Sequence, residues 1–107
     1  MVNEYGVQLD RNGYAPSILP TEGCANCKRE TDLVRHEIFH GSLRQKSKAY
    51  GLWVTLCPAC HMKLHDNAAM DRGLKKVGET AAILHYDWSV KDFRDRFFKN
   101  YLEVGDE

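Results

Sequence analysis

Two kinds of metal ligand share one short stretch of this chain, Leu56-Cys57-Pro58-Ala59-Cys60-His61-Met62-Lys63-Leu64-His65. Proline suits the first position of a helix, where its missing N–H has no partner to lose, so Pro58 predicts a helix that begins there. The two cysteines then lie at the entry and in the first turn of that helix. The two histidines are four residues apart and share one face, while the second cysteine points about a quarter-turn away. The stretch can therefore supply ligands to two different sites.

A second cysteine pair, Cys24-Ala25-Asn26-Cys27, lies upstream. Together with Cys57 and Cys60 it completes two C-x-x-C motifs, and four thiolates match the closed tetrahedral shell of a structural Zn²⁺ site. In a reducing compartment such pairs are metal thiolates far more often than disulfides. A cysteine turn, then a hairpin, then a helix whose first turn carries the last ligand is the order of a treble-clef zinc finger.

A β-hairpin is expected between the two cysteine pairs. Residues 32–40 and 50–56 are rich in β-branched, aromatic and leucine side chains, which favours two strands. Residues 41–48 hold three cations, two hydroxyls and one amide but a single apolar side chain, which predicts a polar loop. That loop is either solvated surface or a segment that contacts phosphate groups.

The remaining segments flank this core. Glycines and prolines in residues 1–23 predict an irregular arm that wraps the core. Apolar spacing predicts a helix over residues 74–86, after a possible break at 71–73. Ser89 predicts the N-cap of a last helix, with an acidic residue in its first turn and an apolar stripe that runs to Tyr101. The last residues, 103–107, form an acidic tail.

Length and composition predict a single α+β domain over residues 1–107, with an irregular arm (1–23), a metal-stabilised core (24–66) and a helical extension (67–107). The chain carries 15 basic and 15 acidic side chains, so any binding of nucleic acid depends on a local patch rather than on net charge. Neither a membrane span nor a signal peptide is recognisable, which predicts an intracellular protein.

Three histidines remain once the cysteines are assigned to zinc. A hairpin packed on the helix would bring His36 to the helix face that bears His61 and His65. Three neutral imidazoles leave coordination positions open, and an open site suits catalysis, because a bound cation can hold a scissile phosphate while a nearby base activates water. The base candidates are Glu37 and His40. In an ideal strand Glu37 faces away from His36, so its participation requires a bend.

These residues resemble the HNH, or ββα-metal, endonucleases, and the similarity covers roughly residues 24–66. The matching segments are Arg35-His36-Glu37-Ile38-Phe39-His40-Gly41, then Arg44 and Ser47, then Tyr50-Gly51-Leu52-Trp53-Val54-Thr55-Leu56-Cys57-Pro58-Ala59-Cys60-His61 with His65. The pattern is most similar to the small phage- and prophage-encoded branch that includes Ref-like recombination nucleases. The resemblance implies that His36 binds the metal and Glu37 is the base, with His61 and His65 as the helix histidines. In a register shifted by one, His36 is the base and Arg35 falls on the metal position. The middle Asn of the family has no match, since Tyr50-Gly51-Leu52 stands near its place.

The resemblance implies a metal-dependent DNA endonuclease that hydrolyses phosphodiester bonds in recombination, replication or packaging. Its cofactors would be a structural Zn²⁺ on the cysteines and a catalytic Mg²⁺, Mn²⁺, Ni²⁺ or Zn²⁺ on His36, His61 and His65. Its partners would be DNA and a recombination or replication protein that targets it, in the cytoplasm of a bacterial host. The predicted nucleic-acid contacts are Arg35, His40, Arg44 and Lys46.

Other interpretations compete with the nuclease. The foremost is a non-catalytic treble-clef zinc module that binds DNA or protein. Cys57-Pro58-Ala59-Cys60-His61 also matches the haem attachment motif of c-type cytochromes, although the upstream cysteine pair would then be unexplained. A zinc-protease helix would need Glu where Met62 stands. A mixed site of Cys24, Cys27, Cys57 and His61 would bind one ion per chain rather than two.

Overall fold

The predicted hairpin is confirmed, with shorter strands. The computed structural model describes residues 1–102, which form a small α+β fold with one two-stranded sheet. Strand β1 (Val34–Glu37) pairs antiparallel with β2 (Trp53–Leu56), in a register that sets Val34 opposite Leu56 and Glu37 opposite Trp53. The chain bends after Glu37, and the next two residues, Ile38 and Phe39, are fully buried in the core. Burial of these two side chains ends β1 earlier than the apolar run predicted.

The connection between the strands is helical, so the prediction of a loop over residues 41–48 is wrong. A 3-10 turn (Gly41–Leu43) leads into helix α1 (Arg44–Ala49). Its buried Ser47 hydroxyl donates to the Leu52 carbonyl at 2.5 Å and accepts from the Phe39 N–H at 3.1 Å. Arginine, glutamine and lysine favour helices, and this buried serine fastens the turn of helix to both strand ends.

Helix α2 (Pro58–His65) begins as predicted. Cys57 is the N-cap in extended backbone conformation, and proline takes the first helical position. The buried side chains of α2 are Cys60 and Leu64, four residues apart on the face toward the core. The helix ends at Asp66, and it presents Cys60 to the core and its histidines to one side.

Helix α3 (Ala68–Tyr86) starts six residues earlier than predicted and has no break at residues 71–73. The Asn67 side chain caps it by accepting from the Met70 N–H at 3.0 Å. A glycine inside a helix costs only about 1 kcal/mol relative to alanine, so good helix formers around Gly73 carry the helix through it. Gly78, in the same helix, is required for close packing: a Cβ there would stand 2.9 Å from Ile38 Cγ2.

Helix α4 (Val90–Phe97) has the predicted start and an earlier end. Ser89 and Asp92 form a reciprocal capping box, and the buried side chains are Phe93 and Phe97. Phe98 adopts a left-handed conformation with φ of 67°, which terminates the helix before Tyr101. Tyr101 still packs on the core, with its ring centroid 5.4 Å from that of Phe39. The predicted acidic tail, 103–107, lies outside the described residues.

The N-terminal arm is irregular, as predicted, and lies along the hairpin. Apart from an isolated bridge between Val2 and Gln8, its described backbone forms turns and bends. The Ala15 N–H donates to the Lys48 carbonyl and the Ile18 N–H to the Gly51 carbonyl, each at 3.0 Å. The arm therefore covers the connection between the strands. None of the helices within residues 1–102 has both the length and the apolar composition needed to cross a bilayer.

Candidate metal centres

The four cysteines converge as predicted. The Sγ atoms of Cys24, Cys27, Cys57 and Cys60 all lie within 4.8 Å of one another, so the group could hold a structural metal ion such as zinc. Cys27 Sγ lies 3.7 Å from Cys57 Sγ. Tetrahedral zinc with bonds of about 2.3 Å separates its sulfurs by about 3.8 Å, whereas a disulfide requires about 2.05 Å. The geometry fits a closed thiolate site and not a cystine.

Backbone and amide groups surround these sulfurs. The Asn26 side-chain amide donates to Cys60 Sγ at 3.3 Å, and the Cys27 N–H donates to Cys24 Sγ at 3.5 Å. Burial raises the pKa of Cys24, but backbone hydrogen bonds outweigh that effect and lower the pKa to about 6. The first cysteine turn is tied to β2, because the Ala25 N–H donates to the Thr55 carbonyl at 2.8 Å. The hydrogen bonds at Cys24 therefore favour its thiolate form.

The three predicted histidines also meet. His36 lies on β1, and its ring centroid is 5.3 Å from that of His61 and 6.2 Å from that of His65 on α2. The Nε2 atoms of the two helix histidines are 3.3 Å apart. Among the described residues, the ligand atoms of the four cysteines lie close enough together to bind one ion. The ring nitrogens of the three histidines do not form such a group in this structure. Rotation of the imidazole rings would be needed to close them around a cation.

His36 is suited to bind a cation. It is 5 % exposed, and its Nε2 is a buried atom that hydrogen bonds to none of the described residues. Burial, followed by the charges of His61 and His40, lowers the pKa of His36 from 6.5 to about 4. The ring is therefore neutral near pH 7, which is the form that coordinates metals. A buried polar atom without a partner is unusual in folded proteins, and a bound ion would satisfy it.

A cavity of about 240 Å³ joins these histidines to most of the other predicted site residues. Its lining consists of Arg35, His36, Glu37, His40, Gly41, Arg44, His61 and His65. Lys46, the remaining predicted nucleic-acid contact, is elsewhere: its ammonium donates to the Arg96 carbonyl at 2.7 Å and lies 4.4 Å from the centre of the Phe98 ring. Lys46 therefore fastens α1 to the end of α4.

Glu37 lies at this cavity because β1 ends there and the chain bends. Its carboxylate is already engaged. The Tyr14 hydroxyl donates to one oxygen, and Arg44 Nε lies 3.3 Å from the other. The Glu37 side chain is only 13 % exposed. Tyr14 belongs to the N-terminal arm, and the sequence analysis did not connect it with the site, because its contact with Glu37 spans 23 residues.

Asp71 is a second residue that the sequence analysis missed. Its Oδ1 lies 3.2 Å from Nε2 of His40, and its Oδ2 lies 3.0 Å from Nζ of Lys75. Burial of Asp71 acts to raise its pKa, but hydrogen bonds from Lys75 and His40 outweigh burial and lower the pKa. The i, i+4 spacing of Asp71 and Lys75 was visible in the sequence. The contact with His40 was not, because it joins residues 31 positions apart.

Arg35 forms one wall of the cavity. Its guanidinium lies 3.0 Å from Asp10 and over two aromatic rings, with centroid distances of 4.3 Å to Tyr14 and 4.9 Å to Trp53. Such cation–π contacts hold the long side chain in place. A basic group and two aromatic rings are thus held at the edge of the histidine cavity, on the side covered by the arm.

The chain matches no family model, and comparisons with curated proteins and with solved structures find no significant match. The likeness to HNH endonucleases therefore depends on the residue pattern alone.

Proposed function

We propose that this protein is a metal-dependent DNA endonuclease of the HNH, ββα-metal type. One observation carries the proposal: three histidines from a strand and a helix line a single cavity, and one of them presents a buried nitrogen that has no hydrogen-bond partner within residues 1–102. In this proposal the core of residues 24–66 is a treble clef, with the cysteines as its zinc site. Two basic side chains, Arg35 and Arg44, line the same cavity, and arginine pairs well with phosphate.

The proposed catalytic ion would be held by His36, His61 and His65. A divalent cation in that position would stabilise the charge that develops on the phosphate and on its leaving oxygen. Imidazole ligands suit Ni²⁺ and Zn²⁺ better than Mg²⁺, which prefers oxygen. Among Mg²⁺, Mn²⁺, Ni²⁺ and Zn²⁺, we therefore expect Ni²⁺ or Zn²⁺ to bind most tightly.

The cysteine site would act as a scaffold. Cys57 and Cys60 flank the start of α2, and the two catalytic histidines follow within the next turns of that helix. A zinc ion that ties α2 to the first cysteine turn would hold His61 and His65 in place against β1. This coupling explains why one short stretch carries ligands for two ions.

The residue pattern also supports a setting for the reaction. From the resemblance to small phage- and prophage-encoded HNH nucleases, we infer that this protein acts in recombination, replication or packaging of DNA in the bacterial cytoplasm. A nuclease core of this size is proposed to depend on a recombination or replication protein for targeting.

A cleavage assay tests the proposal. Purified protein is incubated with supercoiled plasmid and with branched DNA in the presence of each cation. We expect cleavage that EDTA abolishes and that His36→Ala reduces at least 100-fold. The matched control is His85→Ala, because His85 is exposed on α3 and lies outside the cavity lining. Absence of EDTA-sensitive cleavage with every cation, or full activity of His36→Ala, would refute the nuclease.

The engaged carboxylate of Glu37 favours a second candidate, a zinc module that binds DNA without cutting it. In that case the arginines of the cavity would bind the phosphate backbone and the histidines would be dispensable. A salt-sensitive gel shift that Arg44→Ala weakens and His65→Ala leaves unchanged, without cleavage, would support this alternative.

A further inference from the structure

We infer that Asp71, on the helical extension, is a positioning residue that holds His40 as the general base of the proposed nuclease. This inference rests on the proposed function. It concerns a residue outside the segment 24–66 that carries the resemblance, and it assigns the base to His40 instead of Glu37.

The contact between the two side chains selects one tautomer of His40. Asp71 Oδ1 lies 3.2 Å from His40 Nε2, and an ionised carboxylate can only accept a hydrogen bond. The hydrogen therefore resides on Nε2. In the neutral ring, Nδ1 is then left as an acceptor, which is what a general base requires. A carboxylate in this position also stabilises the imidazolium that forms when the base takes a proton.

Asp71 is itself held in place. Lys75, one helical turn further along α3, binds its second oxygen at 3.0 Å. The Lys75 side chain in turn lies 5.6 Å from the centre of the Tyr101 ring. Both Asp71 and Lys75 are largely buried, at 23 % and 19 % exposure, so this ion pair is more rigid than a pair on open surface.

Glu37 is the weaker candidate for the base. Its two oxygens are occupied by Tyr14 and Arg44, and these contacts withhold the lone pairs that would accept a proton from water. His40 is 43 % exposed and lines the same cavity, so water can reach it. Its ring centroid is 6.1 Å from that of His36, which puts the base beside the proposed cation.

The step that these groups would perform is hydrolysis. His40 Nδ1 accepts a proton from a water molecule, and the oxygen of that water forms a bond to phosphorus. The bond from phosphorus to one bridging oxygen breaks, and that oxygen leaves with the electron pair and takes a proton from solvent. Asp71 keeps its hydrogen bond to Nε2 throughout and balances the charge of the imidazolium.

The tautomer of His40 can be measured without any nuclease activity. Long-range ¹H–¹⁵N NMR spectra near pH 7.5 distinguish a hydrogen on Nε2 from one on Nδ1. We expect the Nε2–H form in the wild type and a shift toward a mixture in Asp71→Ala. The matched control is Asp95→Ala, which removes the acid of an exposed i, i+4 pair with Lys91 on α4. An unchanged His40 tautomer in Asp71→Ala would overturn the positioning role.

Kinetics separate this inference from the proposed function. For His40→Ala we expect kcat to fall about 10²–10⁴-fold, the range for loss of a general base, with little change in KM. Asp71→Ala should lower kcat at least 10-fold, and Asp71→Asn should retain more activity than Asp71→Ala because its amide oxygen can still accept. The double variant should be no slower than His40→Ala alone, since the two residues act as a unit. If the wild type cleaves DNA but the decreases in kcat of the two single variants add up in the double variant, or the single variants keep full activity, only this inference is refuted. If the wild type does not cleave DNA, the proposed nuclease and the role of His40 as its base are refuted together.

Discussion

Arg96 on the last helix binds Glu4 near the start of the chain, with 2.9 Å between Arg96 Nη2 and Glu4 Oε2. The Tyr50 hydroxyl donates to the same carboxylate, and the Arg96 guanidinium lies 4.3 Å from the centre of the Trp88 ring. These contacts fasten the irregular arm to α4 and to the end of α1. The arm also carries Tyr14, which binds Glu37 at the histidine cavity. The contact of Glu4 with Arg96 therefore helps to hold one side of the candidate site in place.

The ion pair predicts a contribution to stability that depends on pH. The hydrogen bond from Arg96 lowers the pKa of Glu4, burial of the carboxyl raises it, and the hydrogen bond from Tyr50 lowers it further. The net result is a decrease of the pKa from 4.5 to about 2. Because the pKa is depressed in the folded state, the stabilisation is complete above pH 4.5 and is lost as the pH falls toward 2. Glu4→Gln should therefore cost about 1 kcal/mol or less at pH 7, as for a partly exposed pair, and progressively less as the pH falls below 4.5.

Urea unfolding of the wild type and of Glu4→Gln, compared at each pH, measures this effect. The comparison is limited to the pH range over which elemental analysis shows that both proteins keep their metal, so the difference between them reports on Glu4. Glu22→Gln, at an exposed position of the same arm, is the control. Equal unfolding free energies of the two proteins at pH 7, or a difference that does not shrink as the pH falls below 4.5, would contradict the assignment.

Removal of metal should unfold the protein. Structural zinc in small domains supplies about 10–16 kcal/mol of binding free energy, and this core is small. We expect one tightly held zinc per chain, and loss of the thermal transition after treatment with a strong chelator, as measured by elemental analysis and circular dichroism.

Two variants test which ligands hold that ion. Cys60→Ser should lose the tightly bound zinc, whereas His61→Ala should keep it. The reverse result would favour the mixed set of Cys24, Cys27, Cys57 and His61, a set that differs from the four cysteines brought together in the structure.

Gly51 permits the arm to lie close to the hairpin. Its φ is +71°, and a Cβ at this position would collide with the carbonyl oxygen of Pro16. Gly51→Ala should therefore destabilise the protein by more than the roughly 1–2 kcal/mol expected for a left-handed residue alone. Gly6→Ala is a matched control, because Gly6 has a φ of +77° and no atom of the described chain lies within 4 Å of its Cβ position. Equal losses of unfolding free energy in the two variants would argue against the close contact.

The hydrogen bond between Tyr14 and Glu37 should be measurable by a double-mutant cycle. Burial, together with the bond to Glu37 and its charge, raises the pKa of Tyr14 to about 12, so the phenol stays protonated and donates across the neutral range. Tyr14→Phe should cost about 1–2 kcal/mol of unfolding free energy, since the partner is a charged and largely buried acceptor. In the background of Glu37→Gln the same substitution should cost clearly less. Additive costs would mean that the two groups do not interact.

Local chemistry made much of this fold predictable. The capping box of Ser89 and Asp92 and the helix that begins at Pro58 depend on residues within one turn of each other, so the sequence was sufficient for them. Ligand spacing likewise predicted the cysteine cluster. One wrong prediction also concerned local structure. The cationic side chains of residues 44–48 were interpreted as part of a loop, but they lie in helix α1, which the buried Ser47 connects to the start of β2.

The sequence by itself determined which chemical groups are present and how they are paired along the chain: two C-x-x-C motifs, two histidines on one helix face and a third on a strand. Only the tertiary structure decided which distant groups meet them. The contact of Asp71 with His40 and that of Tyr14 with Glu37 join residues 31 and 23 positions apart. Such contacts follow from how α3 and the arm pack on the hairpin. Packing depends on the shape and burial of the whole core, and the spacing of residues along the chain does not encode it.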